Sequence, residues 1–222
     1  MVDLQGQAVV AILTRAPSSG GKSRLFAALR RAVDRDLLAA LFLDTFDAAA
    51  APGVTRVICY TPAEAEAEVR ELVGGDAPLL PQRGTDLGAR MRHAFEDLIA
   101  AGASAVVLIG SDLPLLDGAI ISEAHRVLRM RTDTVVLGPA IDGGYYLIGA
   151  TRLPAALFDG ITWGGADVLE ATERRAREAG WCTHRLLTHE DVDTAEALDR
   201  VAGHAGPRGW RTRAAASRGR VP

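Results

Sequence analysis

Apolar residues fall in short blocks separated by longer amphipathic stretches, the pattern of strands alternating with helices. Ala8 to Leu13, Val54 to Tyr60 and Ala105 to Ile109 are blocks of strand length, Leu79 to Gln82 is a shorter candidate, and Cys182 to Leu187 is expected to be the last strand. Between them, Leu37, Leu38, Leu41, Phe42 and Phe46 line up on one helical face, as do Met91, Ala94, Phe95 and Leu98. Helices are also predicted over Ala63 to Val73, from about Ala119 to Met130, over Val168 to Ala179 and over Thr194 to Ala202. Such alternation implies a largely parallel sheet with helices on both faces. The rhythm changes at Thr134. Val135 to Leu137 and Tyr145 to Ile148 are separated only by the glycine-rich stretch Gly138 to Gly144, too short for a crossover helix. An antiparallel neighbour, or a locally bent ribbon in a mixed sheet, is the expected result.

Val106 to Ile109 is apolar at every position, which marks a strand buried on both faces, and Gly110 and Ser111 deliver Asp112 just past its end. Pro114 lacks an N–H and ends any central strand there. Ligands of open α/β sheets gather outside the carboxyl ends of strands, so Asp112 is placed to hold a cation against a phosphate. The competing reading is that Asp112 only caps the helix beginning near Asp117.

Composition narrows the picture. The 222 residues show no break in composition, so a single domain over residues 1–205 is expected, followed by an Arg-rich tail, 206–222, read as disordered. A net charge of −3 gives no case for a nucleic-acid surface. Arginine far outnumbers lysine, which occurs only at Lys22. Cys59 and Cys182 are too few and too far apart for a disulfide framework or a metal knuckle, and reduced thiols in a cytoplasmic protein are expected. The early apolar run lacks the flanks of a secretory signal, and no run approaches membrane-spanning length.

Four segments carry candidate chemistry. After the first strand, Gly20, Gly21, Lys22, Ser23 and Arg24 let backbone N–H groups approach an anion while two cations neutralise it, as a nucleoside di- or triphosphate requires. The same segment loosely fits a P-loop, with Ala16 in place of the first glycine, and a basic surface loop is the plain alternative. Gln82 to Met91 offers Gln82 as a two-way amide for a nucleobase edge, Gly84 and Gly88 in a loop and helix start, and Arg90 for a phosphate; a solvated helix face explains the arginines equally. Asp142, Gly143, Gly144 and Tyr145 form either a tight hairpin or the floor under a sugar or acceptor. Asp191 and Asp193 alternate, so an extended segment presents both on one face. Asp193 is the one expected to share a metal with Asp112, unless it only caps the helix from Thr194.

In order and spacing these segments resemble the rSAM/selenodomain-associated transferases of the nucleotide-diphospho-sugar transferase superfamily, with phospholactate and molybdenum-cofactor guanylyltransferases as further relatives. The resemblance runs from about Ala8 to Leu198 and includes Trp163, although Gly164 follows it where relatives carry a polar residue. It implies a GT-A-like Rossmannoid three-layer sandwich and a Mg2+ or Mn2+ ion held by Asp112 and Asp193. It implies a nucleoside triphosphate or nucleotide sugar bound by Gly20, Gly21, Lys22, Arg24, Gln82, Gly84, Gly88, Arg90 and Ser111. A small-molecule acceptor would meet Asp142, Gly143, Gly144, Tyr145 and Trp163, in a monomer or homodimer. The expected reaction is nucleotidyl transfer to a phosphorylated or acidic acceptor, with Lys22, Arg24 and Asp112 as catalytic residues. Glycosyl transfer is the alternative, ahead of a P-loop kinase or a catalytically silent nucleotide-binding protein.

Overall fold

A computed structural model of the chain describes residues 3–75, 77–154 and 156–218. The strands are β1 (Ala8–Arg15), β2 (Val54–Thr61), β3 (Leu79–Pro81), β4 (Ala105–Ile109), β5 (Thr134–Pro139), β6 (Tyr145–Ala150) and β7 (Cys182–Arg185). They form one sheet in the order β3-β2-β1-β4-β6-β5-β7. β6 runs antiparallel to both β4 and β5, and every other pairing is parallel. The mixed sheet expected from the short Gly138–Gly144 connection is therefore present.

The helices are α1 (Ser23–Ala28), α2 (Arg35–Ala48), α3 (Glu66–Val73), α4 (Leu87–Ala100), α5 (Gly118–Met130), α6 (Val168–Glu178), α7 (Ala195–Gly203) and α8 (Trp210–Arg218). Alternate residues of the strands feed two cores. Val10, Ile12, Ile58, Val107 and Ile109 pack with Phe42 of α2 and Ile121 and Leu128 of α5. Val9, Ala11, Val57, Val106 and Leu108 pack with Met91, Phe95 and Leu98 of α4 and Leu169 and Ala176 of α6. With both faces covered, the architecture is a three-layer α/β sandwich. Ile12 of β1 pairs with Ile109 of β4, so the loops after these two central strands emerge side by side.

A third core corrects the reading of the tail. Residues 210–218 are helical, and Ala215 and Ala216 of α8 are buried with Leu25, Phe26, Leu37 and Leu41 of the first two helices and Leu198 and Val201 of α7. Asp44 of α2 is 3 % exposed. Its carboxylate accepts the backbone N–H of Thr212 at 2.7 Å and the Arg211 guanidinium at 3.2 Å. A buried carboxylate requires such partners, and the tail supplies them. Small residues and two distant carboxylates, Asp44 and Asp47, hold α8, which is why no repeating apolar stripe announces it. Residues 219–222 of the expected disordered stretch lie outside the described residues.

Candidate active site at the carboxyl ends of β1 and β4

The chain leaves β1 through a short 3-10 turn, Pro17–Ser19, and then takes three consecutive positive φ angles: 69° at Gly20, 143° at Gly21 and 48° at Lys22. A Cβ on Gly20 or Gly21 would meet nothing closer than 3.8 Å, so conformation, rather than crowding, calls for glycine here. The turn starts α1 and projects Lys22 over the end of β4. There the Lys22 ammonium lies 2.6 Å from Asp112 Oδ2 and also pairs with Asp193, with its side chain only 15 % exposed.

Two backbone links fix the carboxylates. Leu113 N–H donates to the buried Thr45 hydroxyl of α2 at 2.8 Å, and Val192 N–H donates to the carbonyl of Asp112 at 3.0 Å. The second link ties the loop after β4 to the segment before α7. In consequence Asp112, Asp191 and Asp193 each offer an oxygen within 4.8 Å of the others. The Asp191 carboxyl is pushed up to about 7, first by burial and then by the charges of Asp112 and Asp193, with Asp142 adding and Lys22 opposing. Burial works to lower the Lys22 pKa, but the carboxylates of Asp112 and Asp193 outweigh it, and the ammonium is held charged well above its ordinary range. Three hard oxygen donors within 4.8 Å of one another, two of them already paired with a cation, fit Mg2+ or Mn2+ in donor type and spacing.

The expected partner of Asp112, Asp193, is at this cluster, and so is Asp191, which the sequence offered only as its alternate. Ser111 and the Asp142 turn border it. Asp142 Oδ1 accepts Gly144 N–H at 3.0 Å, and a Cβ on Gly143 would sit 2.0 Å from Ala166 O, so the turn is docked against the segment leading into α6. Arg24 lies one residue into α1, exposed and without an ion-pair partner among the described residues.

Other expected contacts are placed differently. Gln82 spends its amide donors on the carbonyls of Thr14 at 3.0 Å and Cys59 at 2.6 Å, splicing the ends of β1 and β2, and only its carbonyl oxygen remains for a base. Arg90 closes its own loop by donating to Gly84 O at 3.2 Å. Gly88 is buried against the Trp163 indole, where a Cβ would come within 2.6 Å of Cζ2. These two expected ligand contacts thus pack on each other. Trp163 also contacts Phe158, with ring centroids 6.1 Å apart. Tyr145 faces the α4–α6 core, its hydroxyl 4.0 Å from Met91 Sδ, and burial raises its pKa. Strand alternation explains this placement, because Tyr146 takes the opposite face and donates to Leu187 O at 3.0 Å.

The sheet order, the antiparallel β6 and a cationic loop facing carboxylates define a nucleotide-diphospho-sugar transferase fold. A crystal structure of a candidate nucleotide-diphospho-sugar transferase from Desulfovibrio desulfuricans G20 superposes with a TM-score of 0.82 at 29 % identity, covering 96 % of this chain and 95 % of that one. A nucleotidyl transferase from Methanothermobacter thermautotrophicus gives 0.60 at 16 % identity over 94 % of this chain and 100 % of that one. CMP:2-keto-3-deoxy-manno-octonic acid synthetase complexed with CTP gives 0.53 at 14 % identity over 88 % and 97 %. The chain belongs to DUF2064, a family described as uncharacterized proteins conserved in bacteria, whose model matches residues 43–165. No curated protein matches the sequence. No helix among the described residues is long and apolar enough to cross a membrane.

Proposed function

We propose that the protein is a divalent-metal-dependent nucleotidyltransferase that moves a nucleotidyl group from a nucleoside triphosphate to a small phosphorylated or acidic acceptor, as a relative of the rSAM/selenodomain-associated transferases. One observation carries this reading: a glycine loop bearing Lys22 and Arg24 faces the carboxylates of Asp112, Asp191 and Asp193 at the carboxyl edge of the sheet.

In this reading the N–H of Gly21, with Lys22 and Arg24, binds the triphosphate, the N–H of Gly20 being engaged by the carbonyl of Pro17 at 3.2 Å, while Gly84, the free oxygen of Gln82 and Ser111 border the nucleoside. Asp112, Asp191 and Asp193 would hold Mg2+ or Mn2+, which would supply charge neutralisation to the phosphate oxygens. The Asp142–Gly144 turn and the exposed edge of Trp163 receive the acceptor. An acceptor oxygen forms a bond to the α-phosphorus, the bond to the bridging oxygen breaks, and pyrophosphate departs with its charge balanced by Lys22 and Arg24. Such a substrate and the free thiols of Cys59 and Cys182 suit the cytoplasm.

Glycosyl transfer is the second reading, favoured by the description of the Desulfovibrio relative. There the acceptor attacks the sugar carbon of a nucleotide sugar and the same cations receive the diphosphate. A thermal-shift screen of nucleoside triphosphates and nucleotide sugars, with and without Mg2+, tests both. Stabilisation by GTP or CTP supports nucleotidyl transfer, and stabilisation only by a UDP- or GDP-sugar supports glycosyl transfer. Silence to every nucleotide overturns both. Asp112→Asn is expected to lose the Mg2+-dependent part of the shift.

A further inference from the structure

Lys22 is the lone lysine among 25 basic residues, and it sits where carboxylates converge. Lysine and arginine differ at such a place: guanidinium is a broad planar fork, while ammonium is a compact point charge, closer in shape to a metal ion. A chain that uses arginine everywhere else has lysine where a small cation fits between two carboxylates, Asp112 and Asp193. The oxygens that hold the ammonium, on Asp112 and Asp193, belong to the same set that fits a divalent cation.

The two halves of this contact are unequally braced. The carboxylate half is tied by Leu113 to Thr45 and by Val192 to Asp112. The lysine half is anchored at its base, where Ser18 donates to Glu68 through its N–H at 2.9 Å and through its hydroxyl, but from Gly20 to Lys22 it is a turn of three positive φ angles, and no packing crowds its two glycines. Arg15 and Arg24 flank this turn, both exposed and without ion-pair partners among the described residues. An arriving polyanion therefore meets free positive charge on the side from which Lys22 comes.

We propose that Lys22 is a resident stand-in cation. It occupies the carboxylates in the metal-free protein and leaves them for phosphate oxygens when a triphosphate arrives, so divalent-cation affinity stays low until the triphosphate is present. The inference rests on the nucleotide-transfer reading and adds an order of events to it.

Because the chain has one lysine, labelling the protein with 15N-lysine at Nζ gives a single ammonium NMR signal, that of Lys22. The expected result is that Mg2+ alone leaves the Lys22 signal in place, whereas Mg2+ with inorganic tripolyphosphate moves it. Displacement of the signal by Mg2+ alone overturns the proposal, as does a signal that stays in place with both. In a second arm, free Mn2+ is measured by electron paramagnetic resonance. Lys22→Met is expected to bind Mn2+ about tenfold or more tighter than the wild type without nucleotide, through removal of the competing charge. Equal or weaker Mn2+ binding by the variant overturns the proposal alone. Absence of Mn2+ binding in both proteins, even with tripolyphosphate, overturns the metal-dependent transferase reading as well. Should Lys22→Met fail to fold, the wild-type NMR experiment decides.

Discussion

The Thr45 hydroxyl accepts the N–H of Leu113 at 2.8 Å while donating to the carbonyl of Leu41 at 2.8 Å, so a buried residue of α2 sets the position of the backbone directly after Asp112. Thr45→Val keeps the shape but leaves the buried Leu113 N–H without an acceptor. The expected cost is about 1–3 kcal/mol of stability. Urea unfolding reads that loss. A Mn2+ titration of the folded variant is expected to show weaker binding than in the wild type, because the Asp112 carboxylate is no longer held in register with Asp191 and Asp193.

Asp191 faces the like charges of Asp112, Asp193 and Asp142 from a half-buried position. Asp191→Asn removes that repulsion and the desolvation of one charge. With chelator present the variant is expected to melt above the wild type. With Mn2+ and a nucleoside triphosphate the order is expected to reverse, since the variant has lost an anionic donor. Two differential scanning calorimetry series, one in each condition, check both signs.

Gly88 and Trp163 touch so closely that an alanine at 88 meets the indole ring. Gly88→Ala is expected to destabilise the protein by about 1–3 kcal/mol through overpacking, and to change Trp163 fluorescence. In a Trp163→Ala background the same substitution should cost nothing, or help by up to about 1 kcal/mol as a better helix former. This double-mutant cycle separates packing from ligand contact, because the coupling appears in the nucleotide-free protein.

His125 of α5 is fully buried, and its pKa is pushed down to about 4 by burial and then by the charge of Arg129. The neutral ring is the form that the fold accepts. Between the ordinary histidine range and pH 4 the unfolded chain binds a proton that the folded chain does not, so stability falls as pH falls through that window. The loss is about 3 kcal/mol by linkage. His125→Leu is expected to flatten this part of the acid limb in denaturation curves taken between pH 7 and pH 4, and an unchanged slope would show that other groups cause it.

Asp44→Ala removes the buried acceptor of Thr212 N–H and Arg211. A loss of about 2–3 kcal/mol is expected for a charged acceptor with several donors. Deleting residues 207–222 is expected to lower the melting temperature too, because it uncovers Leu25, Leu41 and Val201. A disordered tail would leave both measurements unchanged.

The apolar blocks determined the strands and most helices, because burial on both faces of a central strand leaves the unmistakable run Val106 to Ile109. The same logic placed Asp112 at the carboxyl edge and foresaw the mixed sheet from a connection too short for a crossover. Lys22 was legible for a related reason: glycines, a lysine and a helix start follow a strand in one short stretch.

What the sequence did not determine depended on contacts distant along the chain. Whether Asp191 joins Asp193 at the cluster was settled by the hydrogen bond from Val192 to Asp112, and no local pattern encodes that link. Tyr145 and Tyr146 are neighbours of similar chemistry, and only strand register decided which one enters the α4–α6 core. Gly88 and Trp163 read separately as ligand contacts until the fold brought them together, and α8 depended on a carboxylate in α2. Local periodicity reports which face of an element is buried, but partners that meet across long sequence separations are set by packing, and packing exists only in the folded chain.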